Sequence, residues 1–137
     1  MIVRPAFCEH PDLSGSWHLD VAASAFSGTP RPESGTMIIT TGPHKLLHFA
    51  LVMKDRVTNA TAERTIESDW KLDNKYHPVV GGESGEVLAK WDGSVLLGKR
   101  ETSAGPEEIR LMLDAGRSSM TETIQSPKGN TTLIWRR

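Results

Sequence analysis

The amino-acid sequence predicts an all-β fold, a single antiparallel up-and-down β-barrel of about eight to ten strands with little helix, and three observations carry that expectation. Short runs of β-type residues fill the second half of the chain: Glu86 to Trp91, Val95 to Glu101, Glu108 to Leu113, Met120 to Gln125 and Thr131 to Arg136. Turn formers separate them, namely Asp92-Gly93, Ala104-Gly105-Pro106, Asp114-Ala115-Gly116 and Pro127-Lys128-Gly129-Asn130, and these supply the backbone angles that tight reversals need. Apolar residues recur at every second position within the runs, the period of a strand that covers a core on one side. A meander of this length must curl on itself, since a flat sheet leaves an apolar face and two edges open to water.

The first half of the chain supplies the remaining strands. Ser16 to Val21 is expected to form the first, and Thr36 to Thr41 the second, joined by a connection rich in Pro and Gly that leaves room for one helical turn over Val21 to Phe26. Gly42-Pro43 turns the chain into a third strand, Leu46 to Lys54, and Thr61 to Trp70 reads as a fourth. Lys71 to Val79 is either a fifth strand after a bend or, at Asp73-Asn74-Lys75, another turn; Gly81-Gly82 and Ser84-Gly85 then lead into the meander.

At 137 residues the chain holds one domain, read as an N-terminal arm over residues 1–11 and a barrel over residues 12–137. Its 16 basic and 17 acidic side chains nearly cancel and form no basic stripe, which argues against a nucleic-acid partner. The longest apolar segment, Leu46 to Met53, is far short of a membrane span and suits a strand. The single cysteine, Cys8, has no partner for an internal disulfide. Met1 to Pro5 lack the apolar core of a secretory signal, so the expected location is cytoplasmic, or periplasmic or secreted if a leader precedes this sequence.

Alternation assigns faces. Trp17, Leu19 and Val21 share one side of the first strand; Val87, Ala89 and Trp91 share another, as do Ile109, Leu111 and Leu113, and Leu133 with Trp135. In Thr61 to Trp70 the parity of Ile66 and Trp70 also contains Arg64, which places an arginine toward the interior unless the register shifts. Leu46 to Met53 is apolar on both parities, so one row must look outward. An uncovered row is a candidate dimer contact, with Leu47, Phe49, Leu51 and Met53 as the homodimer residues, or a ligand-entry lip, unless the arm or the Pro-rich loop folds over it.

Two local patterns add a resemblance. Asp12-Leu13-Ser14-Gly15-Ser16-Trp17-His18-Leu19 resembles the Gly-x-Trp opening of the calycins, the group that includes lipocalins, fatty-acid-binding proteins and bacterial relatives. Lys90-Trp91-Asp92-Gly93 with the later Arg100 resembles the penultimate hairpins of the fatty-acid-binding proteins, and the order of motifs is most similar to small bacterial lipocalin-like proteins of unassigned function. The resemblance implies a lipocalin-like barrel, with Trp17 closing one end, Gly15 letting the chain pass close beneath it, and Arg136 or Arg137 lying across the indole. It also implies departures. The helix-turn-helix lid of the fatty-acid-binding proteins is replaced by the short Pro/Gly connection, and their closing Arg-x-Tyr pair by Leu133 and Trp135, so that only Arg100 of the carboxylate clamp remains.

Functional candidates follow from these faces. Five histidines, at positions 10, 18, 44, 48 and 77, show no metal-ligand spacing, and no nucleophile or cofactor motif occurs, so neither a metal nor a cofactor is expected. A small, mostly apolar molecule is the expected partner, walled by Trp70, Trp91, Leu133 and Trp135 and gripped at a polar end by Arg64 or Arg100, with Glu122 and His48 as further contacts. Two alternatives stand beside it: a filled barrel that serves as a dimerisation module, and a barrel isomerase or cyclase using Glu122 or His48 as proton carrier.

Overall fold

The computed structural model describes residues 10–27, 31–43, 45–57, 59–78, 85–102 and 104–137. Cys8 and the rest of the arm to residue 9, His44, Val79 and the Gly81-Gly82 lead-in lie outside the described residues. Strands β1 (Gly15–Leu19), β2 (Ala25–Phe26), β3 (Ser34–Gly42), β4 (Leu46–Val57) and β5 (Ala60–Lys71) come from the first half of the chain. They are followed by β6 (Tyr76–Pro78), β7 (Glu86–Asp92), β8 (Val95–Thr102), β9 (Gly105–Leu113), β10 (Ser119–Ser126) and β11 (Gly129–Arg136). Among the described residues there is no helix, and none long and apolar enough to cross a membrane.

All strands join one antiparallel sheet in the order β5-β4-β3-β1-β11-β10-β9-β8-β7-β6, with β2 added beside β11. The sheet curls until β5 lies alongside β7, and no hydrogen-bonded register joins those two among the described residues, so the barrel has a seam. The all-β, up-and-down architecture is the one the patterning predicts. Eleven strands exceed the expected eight to ten by one, the short β2. Val21 to Phe26 yields β2 in place of a helical turn, because Asp20 Oδ1 accepts from the Ala23 amide and the chain then pairs with β11. Lys71 to Val79 is split by a turn in which Asp73 Oδ1 accepts from the Lys75 amide and Asn74 adopts a φ of 59°. The β4–β5 hairpin is longer than predicted, running to Val57 and Ala60.

One end of the barrel is solid. Trp17 has 0% of its surface exposed, its Nε1–H donates to the Leu13 carbonyl at 2.9 Å, and the Arg137 guanidinium lies 4.4 Å above the ring centroid. This satisfies the indole's polar edge while burying its large apolar face, the condition for a fully enclosed tryptophan. Arg136, the other candidate for that position, turns instead to Asp20, with Nε 2.7 Å from Oδ2. The reason is parity: successive residues of β11 point to opposite sides, and Arg136 falls on the outer one with its cross-strand neighbour His18. Gly15 does not serve close packing, because nothing among the described residues comes within 4 Å of where its side chain would start; its φ of 131° is what favours glycine there.

The apolar row of β4 needs correction. Leu47, Phe49 and Met53 are buried, and Leu51 packs against the same core, so the expected dimer contact is the inner wall. Cross-strand pairing decides this: Ile39 opposes Phe49, and Trp70 opposes Leu47, which draws the odd-numbered row inside. Leu46, His48, Ala50 and Val52 form the partly exposed outer row.

Candidate functional site

Cross-strand ladders build the walls of an interior space. On one side Met37, Leu51 and Ile66 line up across β3, β4 and β5. On the other, Leu111, Glu122 and Leu133 line up across β9, β10 and β11, with Ile109, Ile124 and Thr131 one pleat further from the Trp17 end. Between them lies a cavity of about 250 Å³. Toward the Trp17 end it stops at Trp70, whose ring meets Phe49 at a centroid distance of 4.8 Å and a tilt of 54°. The benzo edge of Trp70 rests on the backbone of β8 at Gly98: a Cβ placed there would come within 2.6 Å of Cη2. Gly98 opposes Ala89 on β7, so two small residues make the shallow bed that the indole occupies.

The polar groups of the cavity are few: Arg64, Arg100 and Glu107 lie toward the other end, and Glu122 lies deeper. Arg100 and Glu107 are direct cross-strand partners and form an ion pair through Nη2 and Oε1, with side chains 18% and 15% exposed. Such a charge-assisted bond at low exposure is held more firmly than a surface pair. Arg64 Nε lies 2.6 Å from Asp55 Oδ2, but the arginine side chain is 55% exposed, so it belongs to the rim and solvent weakens its pairing. Glu122 Oε1 accepts a hydrogen bond from Trp135 Nε1 at 2.9 Å, which ties a cavity-lining carboxylate to the solid core behind it. A wider groove of about 470 Å³ lies on the surface beside Arg100 and Glu107; its other walls include Lys99, Glu101, Glu108 and Gln125, and it is a solvated surface feature.

Of the residues singled out in the sequence, Arg64, Trp70, Arg100, Glu122 and Leu133 line the one cavity. Trp135 is fully buried behind it and reaches it only through Glu122. Trp91 stands away from it, stacked on His10 with centroids 4.6 Å apart and planes 3° from parallel. His48 lies on the outer row of β4, where Nδ1 is 2.5 Å from Asp69 Oδ1 on β5; this removes it from any interior chemistry with Glu122. Glu107 lies outside the strand expected from Glu108, because β9 starts at Gly105 and its inner parity runs Glu107, Ile109, Leu111. Gly98 was also legible, as the middle of the inner series Leu96, Gly98, Arg100. Phe26 and Pro32, which also line the cavity, carried no periodic signal. Among the described residues no group of three or more His, Cys, Asp and Glu side chains gathers where a metal could sit.

No family model matches the sequence, and no curated protein does. Solved structures do match in three dimensions. The crystal structure of Echinococcus granulosus fatty-acid-binding protein 1 superposes with a TM-score of 0.66 at 12% identity, covering 91% of this chain and 96% of that one. The fold is that of the calycins. The fluorescent protein UnaG shares it at a TM-score of 0.64 and 12% identity, covering 91% of this chain and 96% of that chain. The REP1-NXSQ fatty acid transporter does so at 0.63 and 13%, covering 91% and 95%. Between β1 and β3, this barrel carries the Asp20–Ser24 turn and β2, and no helix among its described residues.

Proposed function

We infer that this calycin barrel binds a small, mostly apolar molecule with one polar end inside the cavity. The observation that carries the reading is the cavity itself: an interior space of about 250 Å³, walled largely by Phe, Leu, Ile and Met side chains, with Arg64, Arg100 and Glu107 toward one end and Glu122 deeper. Ligand sites share that construction, a predominantly apolar lining with a few placed polar groups that orient the guest. The likeness to a fatty-acid-binding protein and a fatty acid transporter supports a lipid-like guest. Arg100 and the rim residue Arg64 are each paired with a carboxylate, and Glu122 adds a third acidic group, which suits a neutral, hydrogen-bonding head better than a carboxylate.

The interior space also argues against a barrel filled solid. Titration monitored by intrinsic tryptophan fluorescence tests the reading, since Trp70 lines the cavity. Aliphatic alcohols, fatty acids and retinol form the panel. Saturable quenching or a blue shift with at least one neutral amphiphile is expected, and a flat response across the panel would overturn the assignment.

A further inference from the structure

Resting on the reading of the cavity as a ligand site, we propose that Trp70 is the gauge that limits ligand length. It restricts the protein to compact amphiphiles of about eight to ten non-hydrogen atoms rather than long-chain lipids. The size follows from the space: an apolar protein cavity of about 150 Å³ takes up benzene, with its six carbons, so about 250 Å³ suits roughly ten non-hydrogen atoms. That lies just below the ~300 Å³ where drug-sized pockets begin.

The limit follows from where the indole sits. Trp70 belongs to β5, at one end of the sheet, and Gly98 to β8, beyond the unpaired seam at the other end. The ring therefore reaches from β5 across the seam and over β7 to lie on β8 at the inner end of the cavity, a position it can take only because Gly98 presents no side chain. Past it, toward Trp17, the interior is filled by Leu47, Ile39, Leu96 and Trp17, all buried. Trp70 is itself buried at 7% exposure, leans on Phe49 and sits on rigid strand backbone, so it has little freedom to swing aside. An alkyl tail entering from the Arg100–Glu107 end meets the indole face and goes no deeper.

A homologous series of straight-chain alcohols, hexan-1-ol to dodecan-1-ol, reads this directly by calorimetry with the full chain and its Trp70→Ala and Trp70→Phe variants, each checked for fold by circular dichroism. Each methylene that is buried tightens binding about fourfold, while one left at the rim adds little. For the wild type, Kd is expected to fall about fourfold per methylene as far as about octan-1-ol and then level off. In Trp70→Ala the fall continues, so that dodecan-1-ol binds about tenfold or more tighter than to the wild type; Trp70→Phe moves the break by a smaller step and reports even if the alanine variant fails to fold. An unbroken fall to dodecan-1-ol in the wild type, or a break at the same chain length in the folded variants, overturns the gauge and leaves the binding function standing. Absence of binding by any alcohol to any of the three proteins overturns both.

Discussion

The contact between Trp70 and Gly98 predicts an unusual result for a single methyl group. Gly98→Ala would place Cβ 2.6, 2.8 and 3.1 Å from Cη2, Cζ3 and Cζ2 of Trp70. Carbon atoms in contact prefer about 3.5 Å or more, so the nearest overlap is about 0.9 Å and the rigid ring must move by nearly that distance. Overpacking of this kind costs about 1–3 kcal/mol. Against it stands a gain of about 0.4–1 kcal/mol from stiffening the unfolded chain, which applies because Gly98 has no positive φ for alanine to avoid. The net expectation is a loss of about 1–2 kcal/mol. In a Trp70→Ala background the clash is gone and the same substitution becomes neutral or stabilising by up to about 1 kcal/mol. The double-mutant cycle, measured by urea denaturation followed by far-ultraviolet circular dichroism, should therefore return a coupling of about 1–3 kcal/mol. A coupling below about 0.5 kcal/mol would mean that the indole does not lie on β8, and the floor of the cavity would have to be placed elsewhere.

Two further outcomes test the rest of the structure. Phe49→Glu puts a carboxylate on the inner wall beside Trp70, and the loss of the ring alone costs about 3–5 kcal/mol, so the variant should unfold at much lower urea; unchanged stability with a smaller sedimentation coefficient would instead restore that row as a dimer contact. Acid should destabilise the fold below about pH 4 through turn carboxylates. Asp114 is held below its ordinary value of 3.8 by hydrogen bonds from Ser119, first through its hydroxyl, and Asp20 by its bond with Arg136. A depressed folded value means that the unfolded chain binds more protons, so the stabilisation is present above 3.8 and vanishes as pH falls through the folded value. The difference in Tm between wild type and Asp114→Asn should thus shrink as pH drops from about 6 toward about 2; a constant difference would remove Asp114 from the acid transition.

Most of the fold is legible because a strand's period of two and its turn residues are both local signals. Val87 and Ala89, Ile109 and Leu111, and Leu133 and Trp135 fall inside as their alternation requires. The β4 row is where locality fails. Leu46 to Met53 is apolar on both parities, so nothing within the segment says which side is inner; the answer comes from Ile39 and Trp70, residues on two other strands whose register selects Phe49 and Leu47. Strand ends fail for a related reason. The β4–β5 hairpin continues to Val57 and Ala60 beyond the last core residue, held by backbone pairing and by polar contacts such as Arg64 with Asp55, neither of which leaves an apolar period in the sequence.

The site was half legible for the same physical reason. Arg64 and Glu122 stood out because a charge among inward-facing apolar residues breaks a pattern, and both line the cavity. Glu107 did not, since a glutamate near a turn looks solvated until Gly105 fixes the register that sets it opposite Arg100. The consequence reaches function. Arg100 read alone suggests a seat for a carboxylate, whereas Arg100 already bound to Glu107 is an ion pair whose disruption would leave a part-buried charge behind, a cost that any incoming anion must overcome before it gains affinity. A neutral head group bears no such cost, because it can hydrogen-bond to the pair without separating it. Under the proposed binding function, Glu107 shifts the expected preference from an acid to an alcohol-like guest: octan-1-ol should bind more tightly than octanoate at equal chain length, and tighter binding of octanoate would refute that role for the pair.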